Sequence, residues 1–118
     1  MTRRSVQLEN ESADVLARNG YDIEQHPDVP GSRNPDFRIE GRIFDNYSPQ
    51  ANRPIQKIAD TLQGKIDKLQ ADRFVVNLTD WAGDVGRLRQ HFATTPIPGL
   101  QEVFVIDGNG LITRLVLV

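Results

Sequence analysis

The segment Phe74–Leu78 (FVVNL) is an almost wholly apolar run in which no polar residue alternates with the apolar ones. A strand with one solvated face alternates, so this run indicates a strand covered on both faces and therefore central in a sheet. Before it, from Pro54 to Leu69, apolar residues recur every three or four positions, which predicts an amphipathic helix. Because a helix between two strands usually serves as a crossover, we expect this strand to pair in parallel with an earlier one.

Three helices and six strands are predicted along the whole chain. The helices are residues 6–19 with Ser5 as N-cap, residues 54–69, and a third capped by Asp80 that carries Trp81, Val85, Leu88 and Phe92 on one face. The strands are Tyr21–Gln25, the two arms of a hairpin within 36–47 that turns at Glu40-Gly41, residues 74–78, and the closing hairpin 102–106 and 111–118. The segment Pro27–Pro35 is a loop. The order α-β-β-β-α-β-α-β-β predicts an α/β (α+β) fold with a central mixed sheet flanked by helices.

Composition narrows the function classes. The absence of cysteine excludes disulfides, thiolate metal sites and cysteine nucleophiles. No apolar run has the length of a membrane span, and the polar start MTRRSVQLENES lacks the apolar stretch of a secretory signal, so we expect a single soluble domain over residues 1–118 that does not bind membranes. The net charge of -2 argues weakly against nucleic acid. Residues 33–89 nevertheless hold ten basic and eight acidic groups, so the total does not exclude RNA.

Asp45 is the first candidate site residue. On the predicted strand 43–47 it shares a face with Ile43 and Tyr47, and a carboxylate on an apolar face is costly unless it is paired, ligates a metal or is used in chemistry. Asp36 begins the neighbouring strand, so hairpin pairing can bring two carboxylates to one cation or one shared proton. The alternative is structural: Asp45 forms a salt bridge with Arg38 or Arg42.

Three further candidates come from residue chemistry. Lys65 lies at the margin of the apolar stripe of the second helix, where it can reach over the sheet towards a phosphate. His26 ends a strand beside the polar segment, and the imidazole of a histidine suits a general acid or base. Glu9 and Glu11 diverge on the first helix, so at most one is expected to face the sheet, and Glu11 is the one retained. Asn77 is expected to tie strands together.

Several longer segments resemble a known family. Their residues and their order along the chain resemble the C-terminal tRNA nuclease domain of contact-dependent growth inhibition (CdiA) effectors and related polymorphic bacterial toxins. The segments are ENESADVLARNGYDIEQHP near the start, NPDFRIEGRIFDNYSPQ, QADRFVVNL and PIPGLQEVFVIDGNG. The resemblance covers roughly residues 8–112. It implies a toxin, secreted as part of a larger effector, that cleaves tRNA in the cytoplasm of a competing cell. The partners it implies are tRNA and a cognate immunity protein, with a host translation factor as a further candidate.

The same segment also resembles a PD-(D/E)xK nuclease core. Pro35-Asp36 would supply the first carboxylate and Asp45 the second, and both would ligate a divalent metal, with Mg²⁺ as the candidate. Tyr47 occupies the position of the motif's lysine, so Lys65 would have to replace it in space. The alternative is a barnase/EndoU/colicin-type ribonuclease fold without metal, in which His26 or Lys65 assists attack by the ribose 2′-hydroxyl.

The leading hypothesis is therefore an endoribonuclease that cleaves tRNA. Its candidate catalytic residues are Asp36, Asp45, Lys65, Tyr47, His26 and Glu11. One alternative is a non-catalytic binding module or immunity-type protein, which Tyr47 in the lysine position and the acidic charge would favour. A DNase toxin is a further alternative, since a PD-(D/E)xK core serves both polymers.

Overall fold

The predicted order of helices and strands is confirmed by a computed structural model that describes residues 2–31 and 33–117. The elements are α1 (Arg3–Arg18), β1 (Ile23–Gln25), β2 (Phe37–Ile39), β3 (Arg42–Tyr47), α2 (Ile55–Asp67), β4 (Arg73–Asn77), α3 (Val85–Thr94), β5 (Glu102–Ile106) and β6 (Ile112–Val116). Met1, Ser32 of the predicted loop and Val118 of the predicted last strand lie outside the described residues. Within the described part, no helix is long and apolar enough to cross a membrane.

The six strands form one mixed sheet in the order in which they occur along the chain. β2 runs antiparallel to both β1 and β3; β3, β4 and β5 are parallel, and β6 returns antiparallel to β5. β4 therefore lies inside the sheet, parallel to its neighbours on both sides, as its apolar run predicts. The hairpin turn at Glu40-Gly41 is also confirmed: both residues have positive φ, 49° and 81°, the combination that a tight two-residue hairpin turn requires.

Helices cover both faces of the sheet. Phe74 and Val76 of β4 face α2 and α3, whereas Val75 faces α1, and all three are fully buried. This alternation follows from the two-residue period of a strand. Burial of each of these side chains contributes roughly 1.5–3 kcal/mol to the hydrophobic stabilisation of the fold.

Two predicted helix starts are wrong. α1 begins at Arg3 with Thr2 as its N-cap, and the hydroxyl of Thr2 accepts the backbone N–H of Ser5 at 3.0 Å, so Ser5 is inside the helix and is not its cap. α3 is capped by Asp84, four residues after the predicted Asp80. Any of these side chains can cap a helix, and the selection depends on contacts between distant elements: Asp80 pairs instead with Arg4 of α1.

Trp81 and Leu69 also differ from the prediction. Trp81 packs in the core from the turn before α3, where its indole N–H donates to the carbonyl of Arg53 at 2.7 Å. The second helix ends at Asp67, so the predicted stripe stops short of Leu69, whose side chain is 79% exposed. The first strand is likewise shorter than Tyr21–Gln25 and begins at Ile23.

Leu69 terminates α2 in the left-handed conformation that usually selects glycine, with φ of 57°. Its N–H donates to the carbonyl of Ile66 at 2.9 Å, and the N–H of Gln70 donates to the carbonyl of Lys65 at 2.9 Å, the two bonds of a Schellman motif. A side chain with a Cβ costs free energy in this conformation. Leu69 therefore lowers the stability of the fold without adding buried surface.

We expect the substitution Leu69→Gly to raise the free energy of unfolding by about 1 kcal/mol, because it removes the left-handed strain and loses almost no packing. Urea denaturation measures this directly. Leu69→Ala is the matched control: it retains the Cβ, so its stability should stay within ~0.5 kcal/mol of the native chain. Equal stabilisation by glycine and alanine would contradict the explanation.

Candidate active site

Asp36 and Asp45 meet at the end of the β2–β3 hairpin, as their positions predict. The backbone N–H of Asn46 donates to the Asp36 carboxylate at 2.8 Å, and the backbone N–H of Asp36 donates to the Asp45 carboxylate at 3.4 Å. Each carboxylate is thus held by the backbone of the opposite strand. The alternative salt bridge does not form within the described residues, because Arg38 pairs with Glu24 at 3.0 Å and Arg42 has no acidic partner there.

Glu9 of α1 completes the group and was missed by the sequence analysis. Only 3% of its surface is exposed, and its carboxylate lies 2.8 Å from Nε2 of His26. One oxygen of Glu9, one of Asp36 and a ring nitrogen of His26 lie within 4.8 Å of one another. Burial raises the pKa of Glu9, and so do a hydrogen bond to Asp36 and the charge of that carboxylate; the nearby His26 opposes them. A cation bound between the two carboxylates would relieve the repulsion that Asp36 exerts on Glu9.

The position of Glu9 on the helix is the signal that could have identified it. Glu9 precedes Ser12 by three residues and Leu16 by seven, and both are fully buried, so Glu9 lies on the same helical face. Of the two glutamates, Glu9 belongs to the buried face of α1, whereas Glu11, the one retained from the sequence, lies outside it. Glu11 turns to the loop after β4, where it accepts hydrogen bonds from Thr79 and from Asn77.

Asp45 faces the opposite side of the sheet from Glu9. It shares a face with Tyr47, which packs against the core beneath α2 and α3. Burial and the charge of Asp36 raise the pKa of Asp45 to about 6, although the cations Lys65 and Arg33 lower it. Lys65 of α2 lies close enough to Asp45 for its charge to lower the pKa of this carboxyl, so the predicted lysine lies near the site.

A buried polar network fixes α1 above the site. The hydroxyl of Ser12 donates to the side chain of Asn46 at 2.7 Å and accepts from the side chain of Asn77 at 3.0 Å. Asn77 also donates to the backbone carbonyl of Leu8 at 3.2 Å. Asn77 was expected to tie strands together; it ties β4 to helix α1 instead. Because Asn46 also holds Asp36, the network links the position of the helix to that of the carboxylates.

Two clefts open on this group from different sides. The first has a volume of ≈ 340 Å³ and lies beside α1; its walls include Glu9, Asp36 and Tyr47. The second has a volume of ≈ 840 Å³ and lies beyond the end of α2; Asp45 forms one wall. Five of the six predicted residues lie at or beside one site: Asp36, Asp45, Lys65, Tyr47 and His26. The sixth, Glu11, lies elsewhere.

The group has the composition of a cation site joined to a phosphate-binding site. Carboxylate oxygens are the ligands that hard divalent cations prefer, and a buried pair that shares a proton has an alternative in a bound cation. A lysine ammonium near them can balance the charge of a phosphate. The arrangement is thus suited to chemistry on a phosphate ester.

Fold and site together define a small α+β domain with a carboxylate and lysine site at the end of a strand hairpin. The chain belongs to the family of the contact-dependent growth inhibition CdiA C-terminal domain, whose model matches residues 33–112. It is similar to the tRNA nuclease CdiA-2 of Burkholderia pseudomallei (strain 1026b), with 44% identity over 113 residues that cover 96% of this chain and 4% of that protein. The chain thus spans a small part of the length of this relative.

The fold is similar to a solved structure, the CdiA-CT/CdiI toxin and immunity complex from Burkholderia pseudomallei. The TM-score is 0.90 and the identity 43%, over 97% of this chain and 86% of that one. The α+β fold class and the family resemblance seen in the sequence are thereby confirmed. The PD-(D/E)xK core stays a prediction.

The raised pKa of Asp45 predicts that this residue lowers the free energy of unfolding by an amount that depends on pH. Its folded pKa of about 6 lies above the ordinary value near 3.9, so the folded state binds the extra proton and this group's contribution to the unfolding free energy falls as pH rises from about 4 to 6. Asp45→Asn should therefore stabilise the fold by roughly 2 kcal/mol at pH 8, after a discount for partial exposure, and by much less at pH 4.

Urea denaturation at the two pH values measures this difference between variant and native chain. Asp60→Asn, which changes an exposed carboxylate on α2, is the control and should show no such dependence. A gain from Asp45→Asn that is equal at both pH values would contradict the assignment.

Proposed function

We propose that this domain is an endoribonuclease that cleaves tRNA. The observation that carries the proposal is the convergence of Glu9, Asp36 and Asp45 on one hairpin end with Lys65 acting on Asp45 from α2. The 44% identity to a named tRNA nuclease over nearly the whole chain supports the choice of substrate. Such a site would act on the phosphodiester backbone.

The side chains have distinct roles in this proposal. Asp45, with a pKa of about 6, is largely ionised at neutral pH and is suited to accept a proton from the attacking nucleophile. Lys65 would stabilise the negative charge that develops on the phosphate. Tyr47 anchors β3 in the core and lines the first cleft, which fits a positioning role. His26 is exposed, with its Nε2 2.8 Å from the carboxylate of Glu9, which suits a general acid or base.

A divalent metal ion fits the donor set, with Mg²⁺ as the candidate. Glu9 and Asp36 would hold it, with Asp45 or His26 as further ligands, because oxygens of the two acids lie close together and burial raises the pKa of Glu9. When bound, such an ion would act as a Lewis acid on the phosphate. The chain's own contribution is to keep these carboxylates close in spite of their repulsion.

The biological setting follows from the relatives. The solved relative is a toxin in complex with an immunity protein, and the curated relative is far longer than this chain. We infer that this domain is the toxin part of a larger secreted effector, acts in the cytoplasm of a target cell and is neutralised by a cognate immunity protein. A host translation factor remains a candidate partner, and its addition to the cleavage assay tests it.

The test is cleavage of purified total tRNA by the full chain, with plasmid DNA as the competing substrate. Asp36→Asn, Asp45→Asn and Lys65→Met should each lower the cleavage rate by about 10²-fold or more, since each removes a group that acts in the transition state. Lys57→Met, which changes an exposed lysine on α2, is the matched control and should cleave normally. EDTA should abolish activity and Mg²⁺ should restore it.

The contrary outcomes are distinct. A chain that is inert on tRNA with and without Mg²⁺, and harmless when expressed in susceptible bacteria, would overturn the proposal in favour of a binding module. Faster cleavage of DNA than of tRNA would make it a DNase. Cleavage that resists EDTA would refute the metal site and favour the metal-independent mechanism.

A further inference from the structure

The second cleft, beyond the end of α2, has a chemistry of its own. Its walls are Arg33, Asn34, Asp45, Lys68, Leu69 and Gln70, and its volume is ≈ 840 Å³. Asp45 is the only residue of the proposed catalytic group in these walls. The cleft therefore begins at the site and leads away from it, on the α2 side of the sheet.

The two clefts have opposite charge. The walls of the first include Glu9, Asp36 and Asp80 against one cation, Arg4. The walls of the second include the cations Arg33 and Lys68 against Asp45 alone, and the charge of Lys65 also reaches this carboxylate. Within residues 2–31 and 33–117, none of the three cations Arg33, Lys65 and Lys68 forms an ion pair. The second cleft thus carries more positive than negative charge.

Leu69 adds an apolar surface to the same walls. Its side chain is 79% exposed and is held there by the left-handed end of α2, a conformation in which glycine would be less strained. The amides of Asn34 and Gln70 lie in the same walls and offer hydrogen-bond donors and acceptors. Cations, an apolar contact and amides together match one nucleotide unit, with its phosphate, its flat base and the polar base edge.

We infer that this cleft binds the nucleotide next to the scissile phosphate in an unpaired RNA segment, with Arg33 and Lys68 on the phosphate and Leu69 on the base or ribose. The inference rests on the proposed function, because it takes the scissile phosphate to lie at Asp45. An unpaired segment is required because a base must leave its stack before an apolar side chain can contact its face. The acidic first cleft does not offer the phosphates an equivalent path.

The test uses the full chain in an Asp36→Asn background and a short fluorescein-labelled single-stranded oligouridylate, followed by fluorescence anisotropy. Arg33→Ala with Lys68→Ala should weaken binding about tenfold and lower the slope of log affinity against log salt by about 1, as expected for lost phosphate contacts. Lys57→Ala is the matched control and should change neither. In the cleavage-competent chain, Arg33→Ala with Lys68→Ala should raise KM.

Leu69→Gly separates a ligand contact from a structural role. We expect weaker oligonucleotide binding together with an unchanged or higher melting temperature, a combination that loss of stability cannot produce. Equal binding by Leu69→Gly and the background chain would remove Leu69 from the inference. Unchanged affinity and salt slope in the Arg33 and Lys68 variants would overturn it, and so would tighter binding of polyglutamate than of RNA, which would indicate a protein-binding surface.

The two proposals fail separately. If the native chain cleaves tRNA but the Arg33 and Lys68 variants match the background in binding, the cleft inference is wrong and the proposed function stands. If the native chain cleaves neither RNA nor DNA, the proposed function is wrong whatever the binding data show, and the placement of the scissile phosphate fails with it.

Discussion

The site depends on the buried hydrogen bonds that hold α1 across the ends of β3 and β4. Ser12 and Asn77 are fully buried, and with Asn46 they connect the helix to both strands. In such a place each unpaired polar atom would cost about 1–3 kcal/mol, so the network fixes the height and rotation of the helix. Glu9 is brought to Asp36 by that rotation, and Asn46 holds the Asp36 carboxylate through its backbone N–H.

The same arrangement concentrates unfavourable energy at the proposed active site. Burial raises the pKa of both Glu9 and Asp45, and the charge of Asp36 raises both further. These carboxylates oppose folding when ionised, so packing of the two apolar layers on the sheet must offset them. The left-handed Leu69 adds strain beside the second cleft. Strain and raised pKa values at one end of the sheet are typical of a site kept for chemistry or binding.

Much of the fold was predictable from periodicity. The apolar run at Phe74–Leu78 identified a central strand, and the intervening helix implied its parallel pairing, because both signals arise from burial. The helix starts at Ser5 and Asp80 were wrong, since several side chains can cap a helix and contacts with distant elements select one. Asp45 was identified by its place on an apolar strand face. Glu9 was missed because its role depends on how α1 lies on the sheet, although its helical position beside Ser12 and Leu16 marked it as buried.

The most direct test of this account compares the two glutamates of α1. The rate of tRNA cleavage should fall about 10²-fold or more in Glu9→Gln, whose carboxylate lies in the cluster, while the fold stays intact by circular dichroism. Glu11→Gln, two residues away, should cleave within a few-fold of the native rate, because its partners are Thr79 and Asn77. Full activity in Glu9→Gln, or loss of activity only in Glu11→Gln, would contradict the assembly of the site by α1.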